Sequence, residues 1–300
     1  MAKYSSAKVV AFGKLNLMLD IVGINADGYH ELETVMQSVD VYDTLTLCRN
    51  RSGQNEILCD KTGFPCDSTN LIWKAIDAFE KFTGIKTGGI TASVEKRLPS
   101  MAGMAGGSAD CAATLCALDA MFDTKLKRSQ LCEIGVTLGA DVPFCIVGGT
   151  QLCRGVGEKM TELSMMPWCA FVVVKPDVSV STPAAFKKYD SLKNVPKCNT
   201  KAFVNGLMES YESKGLQKMC KHLFNALEYA ANEEEIETAK KKLLDAGALG
   251  SLMTGSGSAV FGVFENPSKA QLALEKIKND YPQAWQCTPV DKGIQIISLG

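Results

Sequence analysis

Four short segments carry residue types able to do chemistry together. From Pro99 to Ala113 the chain reads Pro-Ser-Met-Ala-Gly-Met-Ala-Gly-Gly-Ser-Ala-Asp-Cys-Ala-Ala. This small-residue run opens into a helical pattern, so several backbone N–H groups can face one anion with no side chain in the way. The helix N-terminus adds partial positive charge at the same point. Phosphate suits such a loop. No Gly-Lys-Ser/Thr closes it as in a Walker A loop, and no Gly-x-Gly-x-x-Gly follows a strand. A closely packed helix entry is the plainer reading. The second segment, Lys14-Leu15-Asn16-Leu17, sets an ammonium and an amide two positions apart on a strand, hence on one face. That face is alternatively just solvated. The third, Asp27-Gly28-Tyr29-His30, is a turn signal with an aromatic and an imidazole at its tip, types that can grip a planar base. The fourth, Gly139-Ala140-Asp141-Val142-Pro143, presents a carboxylate on a short link after a helix. A helix stop accounts for Gly139 but not for Asp141.

The elements that must position these residues follow from pattern. Strands are expected at Ala7–Phe12, Lys14–Val22, Glu31–Val39, Thr44–Arg49 and Glu56–Asp60. A helix is expected over Asn70–Phe82, with Ser68, Thr69 or Asn70 as cap and Gly84 as stop. A strand over Gly89–Glu95 leads into the loop and an Ala- and Cys-rich helix from about Ser108 to Phe122. A further helix covers Ser129–Leu138. Beyond Val156-Gly157 the pattern changes. A strand at Cys169–Lys175 precedes helices at Pro183–Tyr189, Lys201–Ser213 and Cys220–Ala231. Asn232 with Glu235 resembles a capping box for a helix to Ala246. Leu252–Gly257, Ala259–Phe264, a helix at Pro267–Asp280 and strands near Trp285 and Ile294 finish the chain. Mixed elements with little strict β-α alternation argue for an α+β class.

Composition limits the function. Three hundred residues are about two domains' worth of chain, and 46% hydrophobic residues with a net charge of −1 describe an ordinary globular protein. There is no basic stripe for nucleic acid. Apolar runs such as Cys169–Val174 are too short to span a bilayer, and the first residues carry no signal-peptide pattern. Twelve cysteines occur without a Cys-x-x-Cys pair, beside only two histidines, His30 and His222. Zinc-ligand spacing is therefore absent, and the cysteines read as small hydrophobes in a reducing cytosol.

Taken in order, the Lys14–Leu17 strand, the Asp27–His30 turn, the Pro99–Ala113 loop, Leu138–Pro143 and Thr254-Gly255-Ser256-Gly257 resemble the motifs of the GHMP kinases. That family includes homoserine, mevalonate and galactose kinases, and the resemblance spans nearly the whole chain. The loop points to the superfamily. The Lys-x-Asn strand together with the Asp-Gly-Tyr-His turn points to members acting on a cytidine-diphosphate-linked methylerythritol. Ala109 departs from the pattern, since many relatives carry a second serine there, and this leaves Ser108 as the hydroxyl near the phosphates.

The resemblance implies a two-domain α+β fold. Residues 1–160 would be a strand-rich N-terminal domain with the phosphate-loop helix, and 161–300 a ferredoxin-like α/β C-terminal domain. ATP and substrate would lie between them, with the γ-phosphoryl passing to the 2-hydroxyl of the methylerythritol unit. Asp141 is implied as the base and Lys14 as its neighbour, offsetting charge on the transferring group. Pro99, Ala102, Gly103, Met104, Ala105, Gly106, Gly107, Ser108 and Ala109 would hold the ATP phosphates. Asn70 and Lys96 match adenine contacts, although Asn70 is equally a helix cap. For the substrate the resemblance implies Asn16 near the reacting end and Val156 through its backbone. Cytosine would lie between Tyr29 and Phe186 with His30 on its edge, and Thr182, Gly255 and Ser256 would close the site. Mg²⁺ is expected with ATP, riding on the phosphates with no protein-only cage. A small-molecule substrate, no nucleic acid or membrane partner, a cytoplasmic location and a monomer or homodimer complete the expectation. The alternatives are a GHMP kinase of homoserine or mevalonate type and a non-catalytic nucleotide-binding sensor on the same fold.

Overall fold

The computed structural model describes residues 2–300 apart from 179, 212–214 and 232. A long antiparallel hairpin of β1 (Ser6–Ile24) and β2 (His30–Arg49) forms its spine. Sequence pattern divides each of these strands in two, whereas the backbone runs through. The interruptions are bulges, with register slips at Phe12/Gly13, Asn16/Met18 and Ile21/Gly23. A bulge bends a strand and re-aims its side chains without ending the ladder. Lys14 and Asn16 lie between the first two slips.

Around the spine follow β3 (Glu56–Cys59), α1 (Leu71–Thr83), β4 (Ile90–Glu95), α2 (Gly106–Phe122) and α3 (Arg128–Val136). Helix α1 starts where the Asn70 side chain accepts from the Ile72 N–H and stops at left-handed Gly84. Helix α2 is buried at nearly every position from Ala109 to Phe122, as expected of a helix apolar on all sides. Where the sequence suggests only a link, α4 (Val142–Val147) forms, with Asp141 at its N-cap and Pro143 in its first turn, where a missing N–H costs little. An unanticipated hairpin, β5 (Thr150–Gly155) and β6 (Lys159–Glu162), adds to β2 through β5.

The remaining chain builds β7 (Ala170–Val174), α5 (Thr182–Asp190), α6 (Thr200–Glu209), α7 (Gly215–Cys220), β8 (Phe224–Asn225) and α8 (Glu228–Ala231). It ends with α9 (Glu234–Asp245), β9 (Gly250–Met253), β10 (Val260–Phe264), α10 (Pro267–Ile277), β11 (Ala284–Cys287) and β12 (Ile294–Leu299). The second sheet is antiparallel in the order β11-β7-β10-β9. With α9 and α10 this is the ferredoxin-like β-α-β-β-α-β unit. Strands β8 and β12 pair with β1 in the first sheet and β6 itself straddles 160/161, so the first sheet crosses that division. No helix among the described residues is long and apolar enough to cross a membrane.

The continuous helix expected over Cys220–Ala231 is broken at β8, which pairs parallel with Met18 and Leu19. Asn225 explains the break. Its buried Nδ2 donates to the carbonyls of Met253 and Gly255, both at 2.8 Å, and its Oδ1 accepts from the Leu227 N–H. These long-range bonds outweigh local helix propensity. The expected cap Asn232 lies outside the described residues, and Glu233 stands at the N-cap of α9.

A second polar cluster ties β2, the segment after β4 and α2 together. The Lys96 ammonium donates to Asp110 Oδ2 at 2.7 Å and to Asp43. Asp43 Oδ1 accepts from the N–H groups of Arg97 and Leu98, anchoring the run into Pro99. All three side chains are essentially buried, and Asp110 Oδ1 has no partner. Burial pushes the Asp110 carboxyl up to about 8, with Lys96 opposing and Asp43 adding to the rise. Burial also disfavours charge on Lys96, but the two carboxylates outweigh it and hold its pKa above the ordinary lysine value.

Two outcomes are expected. Asn225→Leu leaves two carbonyls and an N–H unpaired, so denaturant unfolding should show a loss of about 2–3 kcal/mol. For Asp110, the folded chain keeps a proton that the unfolded chain has released, so its contribution to stability declines as pH rises toward 8. Asp110→Asn cannot titrate. Its stability relative to wild type should improve steadily between about pH 5 and pH 8 in urea titrations. A difference independent of pH would show that Asp110 ionises normally.

Candidate active site

Lys14 and Asp141 meet. Lys14 reaches from the bulged part of β1, and its Nζ lies 3.6 Å from Asp141 Oδ2. Asp141 makes no side-chain capping bond to α4, so its carboxylate is not consumed by the helix it begins. Gly135 sets the height of that helix, since a Cβ there would meet Val142 Cγ1 at 2.8 Å. The Lys14 side chain is almost fully buried, while that of Asp141 is about one-third exposed, at 36%. The pair thus presents its carboxylate, not its ammonium, to solvent.

Both residues line a cavity of about 1060 Å³. This lies at the upper end of the roughly 300–1,000 Å³ of small-molecule sites, ample for two ligands side by side. One wall is the loop before α2. Met101, Gly103 and Ala105 all have positive φ there, and for the non-glycine residues such backbone costs about 1–3 kcal/mol each. Ala105, the N-cap of α2, makes no side-chain capping bond. Gly103 must be glycine, because a Cβ would run into the Thr254 carbonyl packed against it. Thr254 is the seam: its Oγ1 accepts from the Asn16 N–H at 2.9 Å, and the Lys14 N–H donates to Met104 O. Loop, strand and the 254–257 turn are therefore locked to one another.

At the far end stands the turn after β1. Asn25 Oδ1 accepts from the N–H groups of Asp27 and Tyr29, and Gly28 takes positive φ. Tyr29 projects 66% exposed. The expected slot between Tyr29 and Phe186 is filled on the Phe186 side by His30, whose ring stacks on Phe186 at 4.7 Å between centroids and 26° between planes. Across the mouth, Thr182 Oγ1 and Ser256 Oγ are 2.7 Å apart.

Almost every residue singled out from the sequence faces this one cavity: Pro99, Ala102 and the loop to Ser108, Asn70, Lys96, Asn16, Tyr29, His30, Val156, Thr182, Phe186, Gly255 and Ser256. Ala109 does not. Its side chain is fully buried in the core and its N–H donates to Ala105 O, because it already belongs to the helical ladder. Asn70 spends its amide on the helix cap and on Pro65 O. The Lys96 ammonium is committed to Asp43 and Asp110. Asn16 uses its amide to accept from Lys14 and to donate to Thr34 Oγ1. The Val156 N–H is taken by Glu158. Sequence reasoning missed Asp43, Asp110 and Thr34, for which periodicity offers no signal, and Asn25, whose Asx-turn spacing before Asp-Gly is legible.

The chain resembles known proteins over nearly its whole length. The sequence pattern of the GHMP kinases N terminal domain matches residues 70–149, and that of the GHMP kinases C terminal domain matches residues 201–283. The 4-diphosphocytidyl-2-C-methyl-D-erythritol kinase of Clostridium novyi is 40% identical over 273 residues, 90% of this chain and 95% of that protein. Its counterpart from Clostridium kluyveri is 38% identical over 279 residues, 92% of this chain and 98% of that protein. A crystal structure of 4-(cytidine 5'-diphospho)-2C-methyl-D-erythritol kinase superposes with a TM-score of 0.76 at 30% identity, covering 94% of this chain and 98% of that one. With identities this high over nearly the full length, the chain belongs to the 4-diphosphocytidyl-2-C-methyl-D-erythritol kinase family of the GHMP kinases.

Proposed function

We propose that the chain transfers the γ-phosphoryl group of ATP to the 2-hydroxyl of 4-diphosphocytidyl-2-C-methyl-D-erythritol, a step of non-mevalonate isoprenoid precursor synthesis. The meeting of Lys14 and Asp141 inside a cavity walled by the α2 loop carries this reading. Phosphoryl transfer runs through a loose transition state, so the protein mainly positions groups and screens charge. The 2-hydroxyl oxygen forms its bond to the γ-phosphorus as the bond to the β,γ-bridging oxygen breaks. The hydroxyl proton passes to Asp141 and ADP departs. Lys14, held by Asn16, offsets charge on the transferring group.

The phosphates lie against the uncapped start of α2, at Gly106, Gly107 and Ser108. Adenine lies toward Asn70 and Lys96, beside Phe64 and Pro65. Mg²⁺ belongs to the same proposal. Ser108 would supply a hard oxygen donor facing the cavity, which suits a cation taking most of its ligands from phosphate and water. When bound, the ion neutralises phosphate charge. The cytosine stacks on Tyr29 with its amino edge toward His30, whose other side Phe186 backs, and Thr182 and Ser256 close the mouth.

The first 160 residues supply the ATP loop and the reacting pair, and the second half supplies the other wall. A monomer or homodimer in the cytoplasm belongs to the same proposal. A homoserine- or mevalonate-type kinase has no use for Tyr29, His30 and Phe186. A nucleotide sensor has no use for the Lys14–Asp141 pair.

Coupled ADP release, measured with the cytidine substrate, homoserine and mevalonate, should show turnover only with the first. Asp141→Asn should fold, bind ATP and lose about 10²–10⁴ in kcat. Undiminished turnover would remove Asp141 from the mechanism. Tyr29→Ala gives up base stacking worth about 1–3 kcal/mol, so the KM for the cytidine substrate should rise roughly five- to 150-fold while the KM for ATP holds.

A further inference from the structure

His30 lines the cavity, but Asp190, at the last position of α5, touches it from outside. The His30 Nε2 lies 2.7 Å from Asp190 Oδ1, a contact between positions 160 residues apart. A carboxylate can only accept, so the ring must carry its proton on Nε2 and donate it. Phe186 covers one face of the ring. One nitrogen and one face are therefore fixed, and in the neutral imidazole Nδ1 remains as a bare lone pair.

The placement of Asp190 needs explaining. A carboxylate at a helix C-terminus opposes the dipole, and the same turn carries Lys187 and Lys188, which the dipole favours. The bond to His30 is the one polar contact of the Asp190 side chain among the described residues. Cytosine and uracil differ where such a lone pair can discriminate. Cytosine offers an amino donor at the position where uracil offers a carbonyl acceptor. An imidazole locked as an acceptor welcomes the first and repels the second.

We propose that Asp190 is a specificity-positioning residue: by holding the proton of His30 on Nε2, it turns Nδ1 into an acceptor that selects a cytidine over a uridine diphosphate substrate. This rests on the reading of the site as one for a cytidine-diphosphate sugar alcohol. Asp190 does not touch the reacting atoms, so it acts on binding of the base and not on the transfer step.

The test is Asp190→Lys, with Asp190→Glu as the conservative control. A lysine can only donate, which forces Nε2 to accept and moves the proton to Nδ1. Position 190 is exposed and a cation there suits the helix dipole, so folding is not at risk. Long-range ¹H–¹⁵N spectra report the tautomer directly. The chain has only two histidines, and His222→Gln assigns the other. The wild-type chain and Asp190→Glu should show His30 protonated at Nε2, and Asp190→Lys at Nδ1. The ratio of kcat/KM for the cytidine and uridine substrates should fall about three- to tenfold in Asp190→Lys, through KM and with kcat held. Both substrates bear the same charge, so any general electrostatic effect of the new lysine cancels in that ratio. A wild-type His30 protonated at Nδ1, or a ratio unchanged in Asp190→Lys, would overturn the proposal. A wild-type chain inactive on the cytidine substrate would overturn the parent reading instead, and the spectra would still decide the Asp190–His30 pairing.

Discussion

A buried ammonium facing a carboxylate about one-third exposed is the constraint on which the rest depends. Lys14 is 3% exposed, and an ammonium taken so far from water is tolerable only with acceptors around it. Asn16 and Asp141 supply them. Neither can move far without leaving the charge stranded. The bulges of β1, the Thr34–Asn16 bond and the close approach of α3 and α4 at Gly135 all hold this one contact in place. A group able to take a proton therefore stands at a fixed point in the same cavity as the loop that opens α2.

The loop is strained and the strain is local. Met101 and Ala105 adopt left-handed backbone although neither is glycine. Buried structure on both sides sustains them. Asp43 pins the entry through the Arg97 and Leu98 amides, and α2 anchors the exit in the core. Lys96 couples the two through Asp110. The outcome is a helix start fixed in place, with no side-chain capping bond from Ala105.

The aromatic end of the cavity follows another logic. Tyr29 and His30 sit on a hairpin tip, an easily displaced place, and are steadied by contacts from far along the chain. Phe186 stacks on the imidazole and Asp190 bonds it. The second half of the molecule is therefore more than a wall. Through α5 it holds the His30 ring, and through β8, β12 and Thr254 it is laced into the first sheet.

Much of this was legible before any coordinates. The Gly84 stop, the Asn70 cap, the buried Ala- and Cys-rich helix and the two-residue spacing of Lys14 and Asn16 are local, and local hydrogen-bond periodicity writes them into the sequence. So are the Gly-rich loop and the Asp-Gly turn. Tertiary structure alone decided that Ala109 turns into the core and that Lys96 is spent on two carboxylates. It also decided that residues 220–231 break for a strand, and that Asp190 reaches His30. Each of these is settled by which groups, distant along the chain, become neighbours on burial. A buried polar atom must find a partner wherever packing puts one, and no spacing along a single segment records that address.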